Sequence, residues 1–177
     1  TNPEDLKRSN IAGAKSIIVL DSDEAGDANV VSTVLAIKAV NPNPKIRIVA
    51  EIDDANTGEA LTTATNGQVI TVRSHEIIAR VTAQASRRPG LAAVILDLLD
   101  FAGDEIYFAN VPALSGKTYA DAILAFNEAS VVGIQENGVT KVNPAMETVL
   151  TANTRIIAIA EDDDKVIYTG VREDISK

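Results

Sequence analysis

The sequence predicts an α/β fold in which a half-sheet of three parallel strands is followed by a smaller α+β lobe. Two observations support this prediction. Short apolar runs rich in β-branched residues alternate with longer helical patterns over the first hundred residues, which is typical of parallel βαβ units. Aromatic residues make up only 3% of the chain. The core must therefore be built from Ala, Val, Ile and Leu, as it is in parallel sheets covered by helices.

The first part of the chain is predicted to alternate strands and helices. The strands are predicted at residues 16–20, 45–52 and 68–72, and the helices at residues 25–40, 53–65, 74–87 and 91–99. The Asn-Pro-Asn-Pro segment 41–44 ends the first helix, and Asn66-Gly67 ends the second. Ser74 is the expected N-cap of the third helix.

The pattern changes near residue 100, where strands of more antiparallel character follow. Strands are predicted at residues 105–110 and 131–135, a short helix at residues 119–126, and a hairpin of residues 154–160 and 165–169 around the acidic segment 161–164. We therefore expect two lobes, residues 1–100 and residues 101–177.

Composition excludes several classes of function. The chain has 177 residues, with 16 Lys and Arg against 25 Asp and Glu, and a formal net charge of −9. Such an acidic protein repels phosphate backbones, so nucleic acid is not an expected partner. No apolar stretch reaches the roughly 18 residues of a membrane-spanning helix, so we expect no direct membrane insertion of this segment. The absence of cysteine excludes thiol chemistry, and a single histidine, His75, excludes multi-histidine metal centres.

The predicted sheet is incomplete. Three parallel strands form half of a doubly wound sheet, and the first strand would carry an open apolar edge. The other half, with its glycine-rich dinucleotide-binding turn, is expected upstream of Thr1, because no G-x-G-x-x-G segment occurs here. The polar N-terminus lacks an initiator methionine and Met146 is the only Met, so we expect a fragment or a processed form.

An acidic turn follows the first predicted strand. Ligands of doubly wound sheets bind beyond the C-terminal ends of the strands. Carboxylate and neutral oxygens placed there can accept ribose hydroxyls or bind a hard divalent cation such as Ca²⁺. The candidate ligand-binding residues are Asp21, Ser22, Asp23 and Asn29. The alternative interpretation is a solvated turn whose negative charge favours the start of the next helix.

A second acidic turn follows the second predicted strand. Two acidic turns at adjacent strand ends could share one cation, because clustered carboxylates are unfavourable without a counterion. The candidate metal ligands are Asp21, Asp23, Glu24, Glu51, Asp53 and Asp54. The favoured alternative is that Asp53 or Asp54 caps the following helix.

Two further polar features receive non-catalytic interpretations. Residues 161–164 are consecutive acids without the spacing of an EF-hand loop, which is typical of a solvated hairpin tip. His75 lies at a helix start without a nucleophile motif nearby. We therefore expect a surface or capping histidine and no enzyme activity.

Two groups of segments occur in a characteristic order. Residues 16–54 contain an apolar strand, an acidic turn, a later Asn and an Asn-Pro segment before the next strand. Residues 114–119 (LSGKTY), Gly133-Ile134, Asn143-Pro144 and residues 156–160 follow in the second lobe. This order resembles the RCK (regulator of K⁺ conductance) or TrkA-N regulatory domain. The resemblance implies the second half of a Rossmann-like parallel sheet (βαβαβα), followed by a lobe like the RCK C-terminal lobe.

Three further stretches indicate a subfamily. They are RPGL at residues 88–91, LLDFAGDEIYF at residues 98–108 and IAEDDD at residues 159–164. Together they resemble the Castor/Pollux family of cation channels, including its bacterial relatives. The glycine-rich first half and the pore helices of that family do not occur in this sequence.

The resemblance implies a cytoplasmic, non-enzymatic gating domain of a cation or potassium channel, tethered to the membrane through an upstream pore domain. It would bind Ca²⁺, another divalent cation or a nucleotide, with NAD only if the upstream half is present. It would act as a homo-oligomer whose dimers build a ring. The apolar helix 25–40, expected to be buried on more than one face, would contribute to the subunit interface. Two alternatives stay open: a fragment of an NAD-dependent oxidoreductase, and a ligand-free oligomerisation module.

Overall fold

The computed structural model describes residues 3–22, 26–43, 45–100 and 102–170. The chain divides into two compact units, Thr1–Arg88 and Pro89–Lys177. The division falls at the Arg88-Pro89 link, and the lobe boundary predicted near residue 100 stays a prediction. Among the helices in the described ranges, none combines the length and the apolar character that a membrane crossing requires.

The first unit is built on a three-stranded parallel sheet with the strand order β1-β2-β3. Its main elements are α1 (Pro3–Arg8), β1 (Ser16–Val19), α2 (Gly26–Val40), β2 (Arg47–Glu51), α3 (Ala55–Ala64), β3 (Val69–Val72) and α4 (Ser74–Arg87). The predicted alternation of strands and helices is confirmed, with small differences at the ends of the elements.

One face of this sheet is covered by helices. Ile48 and Ala50 of β2 are fully buried and share one core cluster with Val34 of α2 and Leu61 of α3. Burial of each large aliphatic side chain contributes roughly 1.5–3 kcal/mol to folding. Since residues of both helices join this cluster, α2 and α3 pack on the same face of the sheet.

The opposite face carries a row of apolar side chains. Ile18, Val49 and Ile70 are register partners across the three strands, and Ile18 is 68% exposed. Parallel sheets are ordinarily covered on both faces.

β1 lies at one end of the strand order, so the open apolar edge expected from the sequence is present among the described residues.

Helix α2 buries only one of its faces within this unit. Val30, Val34 and Ile37 are buried, whereas Leu35 is 53% exposed. The second buried face of α2 is predicted to come from a contact between subunits, which a single chain does not contain. An interface between subunits on its outer face stays a prediction.

The start of α4 corrects the prediction that Ser74 is the N-cap. The N-cap position belongs to Arg73, without a capping bond from its side chain, and Ser74 is already helical. The Ser74 hydroxyl donates to the Glu51 carboxylate at the end of β2. A charged acceptor makes a stronger hydrogen bond than a neutral one, which accounts for the use of this hydroxyl away from the cap.

The second unit is built on a four-stranded antiparallel sheet with the order β4-β7-β5-β6. Its main elements are α5 (Leu91–Leu98), β4 (Glu105–Asn110), α6 (Tyr119–Ile123), β5 (Ser130–Glu136), β6 (Val139–Val142) and β7 (Arg155–Ala160). The core contains Tyr119, Phe126 and Ile156. The ring of Tyr168 meets Phe126 edge-on, with 6.3 Å between centroids and 79° between planes.

The hairpin predicted at residues 154–169 is wrong. Strand β7 pairs with β4 and β5, and a 3₁₀ turn, Asp163–Lys165, follows it. Beyond that turn, Tyr168 forms a single bridge with Phe126. A hairpin of the second unit joins β5 to β6 through Asn137-Gly138. Both of these residues have positive φ, as favoured two-residue hairpin turns require.

Candidate functional site

The candidate site lies beyond the C-terminal ends of the parallel strands. Glu51, the last residue of β2, joins two neighbouring segments there. Its Oε2 accepts the backbone N–H of Asp21 at 3.0 Å, and its Oε1 accepts the Ser74 hydroxyl. One carboxylate therefore links the turn after β1 to the first residue of α4.

A second carboxylate, that of Asp27, lies in the first turn of α2. Its Oδ1 accepts the backbone N–H of Asp53 at 3.0 Å and its Oδ2 accepts that of Asp54 at 2.8 Å. The Asp53 carboxylate in turn contacts Nδ1 of His75. The starts of α2, α3 and α4 are thus joined through the loop after β2.

Asp54 is the N-cap of α3. Its Oδ1 accepts both the backbone N–H and the hydroxyl of Thr57, each at 2.8 Å. These hydrogen bonds from Thr57 hold the pKa of the Asp54 carboxyl below its ordinary value. The capping interpretation of Asp54 is confirmed, and its role as a metal ligand stays a prediction.

The side chain of Asp21 is only partly satisfied. Among the described side chains, its Oδ1 is the one buried oxygen or nitrogen atom that has no hydrogen-bond partner. A covered carboxylate oxygen without a donor is unfavourable. Its environment therefore suits a cation or a hydrogen-bond donor.

The structure reaches only some of the residues predicted for the site. Asp23 and Glu24 lie outside the described residues. Ser22 and Asn29 are exposed. In the part of the chain that the structure describes, no three His, Asp or Glu side chains come together as a metal centre. The assignment of a ligand to these residues stays a prediction.

Two participants were not among the predicted site residues. Asp27 is not among the predicted ligands, although acidic residues in the first turn of a helix are favoured by the helix dipole. Ser74 was assigned to a cap. His75 is a surface histidine, as predicted, but its contact with Asp53 could not be foreseen from sequence spacing.

The second unit has an acidic region of its own. The Tyr107 hydroxyl donates to Glu105 Oε2 at 2.8 Å. This hydrogen bond raises the pKa of Tyr107 to about 12, with further contributions from partial burial and from the charges of Glu105, Asp162 and Asp163. Asp163 and Asp164 belong to a short 3₁₀ turn that Asp162 caps, so segment 161–164 is not the tip of a hairpin.

Comparison with known proteins connects this geometry to one family. Residues 75–175 match the family described as Castor and Pollux, part of voltage-gated ion channel. The chain is 33% identical over 170 residues to the probable ion channel POLLUX of Oryza sativa subsp. japonica, covering 92% of the chain and 18% of that protein. It is 34% identical over 167 residues to the ion channel CASTOR of Lotus japonicus, covering 90% of the chain and 20% of that protein.

The fold has a counterpart in a solved gating ring. The human SLO3 gating ring superposes with a TM-score of 0.62 and 18% identity, over 93% of this chain and 36% of that one. The fold is therefore RCK-like, as the sequence predicts. The chain spans about a fifth of the length of its curated relatives, which are ion channels and not enzymes. The match over more than half of its residues shows that this chain belongs to the Castor and Pollux family.

Proposed function

We propose that this chain is the ligand-sensing segment of a channel gating ring, and that it binds a divalent cation, Ca²⁺ in the first instance, at the acidic turn after β1. Family membership and the RCK-like fold support a regulatory role. The ligand would act on the pore only through a difference in its affinity for two conformations of the ring, because tight binding alone shifts no equilibrium.

The observation that carries the cation proposal is Asp21 Oδ1, a buried carboxylate oxygen without a hydrogen-bond partner in the described structure. A Ca²⁺ ion takes oxygen ligands from carboxylates, hydroxyls, backbone carbonyls and water. Asp21, Ser22, Asp23 and Glu24 supply such groups within one turn. Glu51, Asp53 and Asp54 already accept hydrogen bonds, so a cation would share their carboxylates with those donors.

The same proposal places the segment on the cytoplasmic side of a cation or potassium channel, below an upstream pore domain. Subunits would assemble as a homo-oligomeric ring of dimers. The exposed side chain of Leu35 on α2 supports such an interface. A nucleotide such as NAD is the second class of ligand, and it would require the half-sheet expected upstream. The family match leaves the oxidoreductase alternative without support.

Calorimetry and thermal unfolding of the 177-residue chain with Ca²⁺ test the proposal. We expect heat of binding and a raised melting temperature, and we expect Asp21→Asn combined with Asp23→Asn to abolish both while the fold remains intact. The matched control, Asp162→Asn with Asp164→Asn, removes the same charge from the second unit. It should leave the response unchanged.

Three outcomes would contradict this proposal. A chain that shows neither heat nor stabilisation at millimolar Ca²⁺ would favour the ligand-free oligomerisation module. A normal response in the Asp21 and Asp23 double variant would move the site elsewhere. Equal loss in both double variants would indicate nonspecific screening of negative charge.

A further inference from the structure

The turn between β1 and α2 is held at its first end by Glu51. The Glu51 carboxylate accepts the backbone N–H of Asp21 at 3.0 Å with one oxygen and the Ser74 hydroxyl with the other. Both bonds have a charged acceptor, which makes them stronger than bonds between neutral groups. A displacement of Asp21 is therefore transmitted through Glu51 to Ser74, the first residue of α4.

The same turn is held at its second end by Asp27. Here Asp27, in the first turn of α2, supplies the carboxylate, and the loop after β2 supplies the backbone donors. Asp27 Oδ1 and Oδ2 accept the N–H groups of Asp53 and Asp54 at 3.0 and 2.8 Å. Because Asp54 is the N-cap of α3, a displacement of Asp27 acts directly on the start of that helix.

These two contacts are reciprocal. In the first contact, Glu51 of β2 provides the carboxylate and Asp21 provides the backbone N–H. In the second contact, Asp27 provides the carboxylate and the residues after β2 provide the backbone N–H groups. Two hydrogen bonds to one carboxylate fix its orientation as well as its position. Asp21 and Asp27 are therefore both held by residues at the end of β2 or in the loop that follows it.

We propose that the Glu51 and Asp27 contacts form a double clamp that couples the turn after β1 to the N-termini of α3 and α4. The inference rests on the proposed function for its ligand, since a cation bound by Asp21 would act on the clamp. A cation that draws the Asp27 or Asp21 segment towards itself must pull on the backbone of residues 53 and 54 or on Glu51. Through the clamp, binding of a cation near Asp21 would displace the first residues of α3 and α4.

Amide hydrogen exchange measured by NMR tests the clamp without any ligand. Asp27→Ala removes both acceptors, and Asp27→Asn keeps one of them. We expect exchange at the N–H groups of Asp53 and Asp54 to rise about tenfold or more in Asp27→Ala and less in Asp27→Asn. The control Glu59→Ala removes an exposed carboxylate from α3 and should leave both rates unchanged.

A Ca²⁺ titration of the same samples tests the coupling. In the wild-type chain we expect amide shifts at Asp21 and also at residues 53, 54 and 74. In Asp27→Ala the shift at Asp21 should persist, while the shifts at residues 53 and 54 are lost. Undiminished shifts at residues 53 and 54 in this variant would overturn the proposal.

The clamp and the proposed function can fail separately. If the wild-type chain shows no Ca²⁺ response, the cation function fails and the exchange rates alone decide: faster exchange at residues 53 and 54 in Asp27→Ala supports the clamp, and unchanged exchange overturns it. If Asp27→Ala does not fold, Asp27→Asn gives the same decision, because it loses one of the two acceptors.

Discussion

Asp54 serves the fold and the candidate site at once. Its carboxylate caps α3 through two bonds from Thr57, while its backbone N–H is held by Asp27. An Asp at this position satisfies donors that no residue within the helix can satisfy. Both capping bonds go to Asp54 Oδ1, so a cation could bind Oδ2 while the cap stays in place.

Replacement of Asp54 by Ala should lower the melting temperature of the first unit by about 4–8 °C, because the first turn of α3 loses its acceptor. Thermal unfolding followed by circular dichroism measures this change. Glu59→Ala, on the same helix, is the matched control and should have little effect. Equal shifts in the two variants would show that general charge, and not the cap, is responsible.

The pH dependence of this effect has a definite sign. The pKa of Asp54 is lowered in the folded chain relative to its ordinary value of 3.8. The cap therefore contributes fully above the unfolded pKa and is lost as pH falls through the folded value. The difference in melting temperature between the wild type and Asp54→Ala should shrink in strong acid. A difference that stays constant with pH would contradict this assignment.

Among the elements, the hairpin of β5 and β6 depends on a close approach of backbones. Gly133 pairs with Val142 across the hairpin, next to a register shift in the pairing of β5 with β7. A Cβ atom added at Gly133 would lie 2.5 Å from the Lys141 carbonyl oxygen and 3.1 Å from Val142 Cα. Since both are backbone atoms, no side-chain rotation can relieve the overlap.

Gly133→Ala should destabilise the second unit by about 1–3 kcal/mol, because the strands must move apart. Urea unfolding measures the loss. Gly103→Ala is the matched control, since a Cβ there meets its nearest atom at 3.5 Å, which is ordinary contact. The close-approach argument fails if the two variants lose similar stability.

The elements also show which parts of the structure the sequence predicts. Strands β1 to β3 and helices α2 to α4 follow from local periodicity, because their apolar positions repeat at strand or helix spacing. Strand β6 is short and exposed along its whole length, so its pattern is weak. The Asn137-Gly138 dipeptide was the signal that could have located this hairpin.

The contacts of the site are less predictable than the elements. Asp27 meets Asp53 and Asp54 across 26 and 27 residues of chain. Their meeting depends on the exact length of α2 and on the ends of two strands. Sequence spacing places acidic turns at one edge of the sheet, but it does not say which carboxylate takes which backbone donor.

At the scale of the whole molecule, the first unit presents an apolar groove between two helices. Val31 and Leu35 of α2 line it together with Ala60, Leu61 and Ala64 of α3. Small residues on α3 allow close approach of another surface. This groove is the part of the first unit that we expect the ring interface to use.

Leu35→Glu should raise the dissociation constant of self-association about tenfold or more, because a charge would be buried in an apolar contact. Sedimentation velocity of the 177-residue chain measures this change. Val142→Glu places the same charge at a similarly exposed position in the second unit and serves as the control. Equal loss in both variants, or a chain that stays monomeric at high concentration, would contradict an interface at α2.

The aromatic pair in the core of the second unit has an optical consequence. The chain has three Tyr, three Phe and no Trp, and all six rings occur from residue 101 onwards. Near-ultraviolet absorbance and intrinsic fluorescence of the unaltered chain therefore report on Pro89–Lys177 alone. The first unit has no Phe, Tyr or Trp and contributes to neither signal. A single Trp introduced into α2 or α3 would give the first unit a fluorescence signal of its own, and the unfolding of the two units could then be followed separately in one sample.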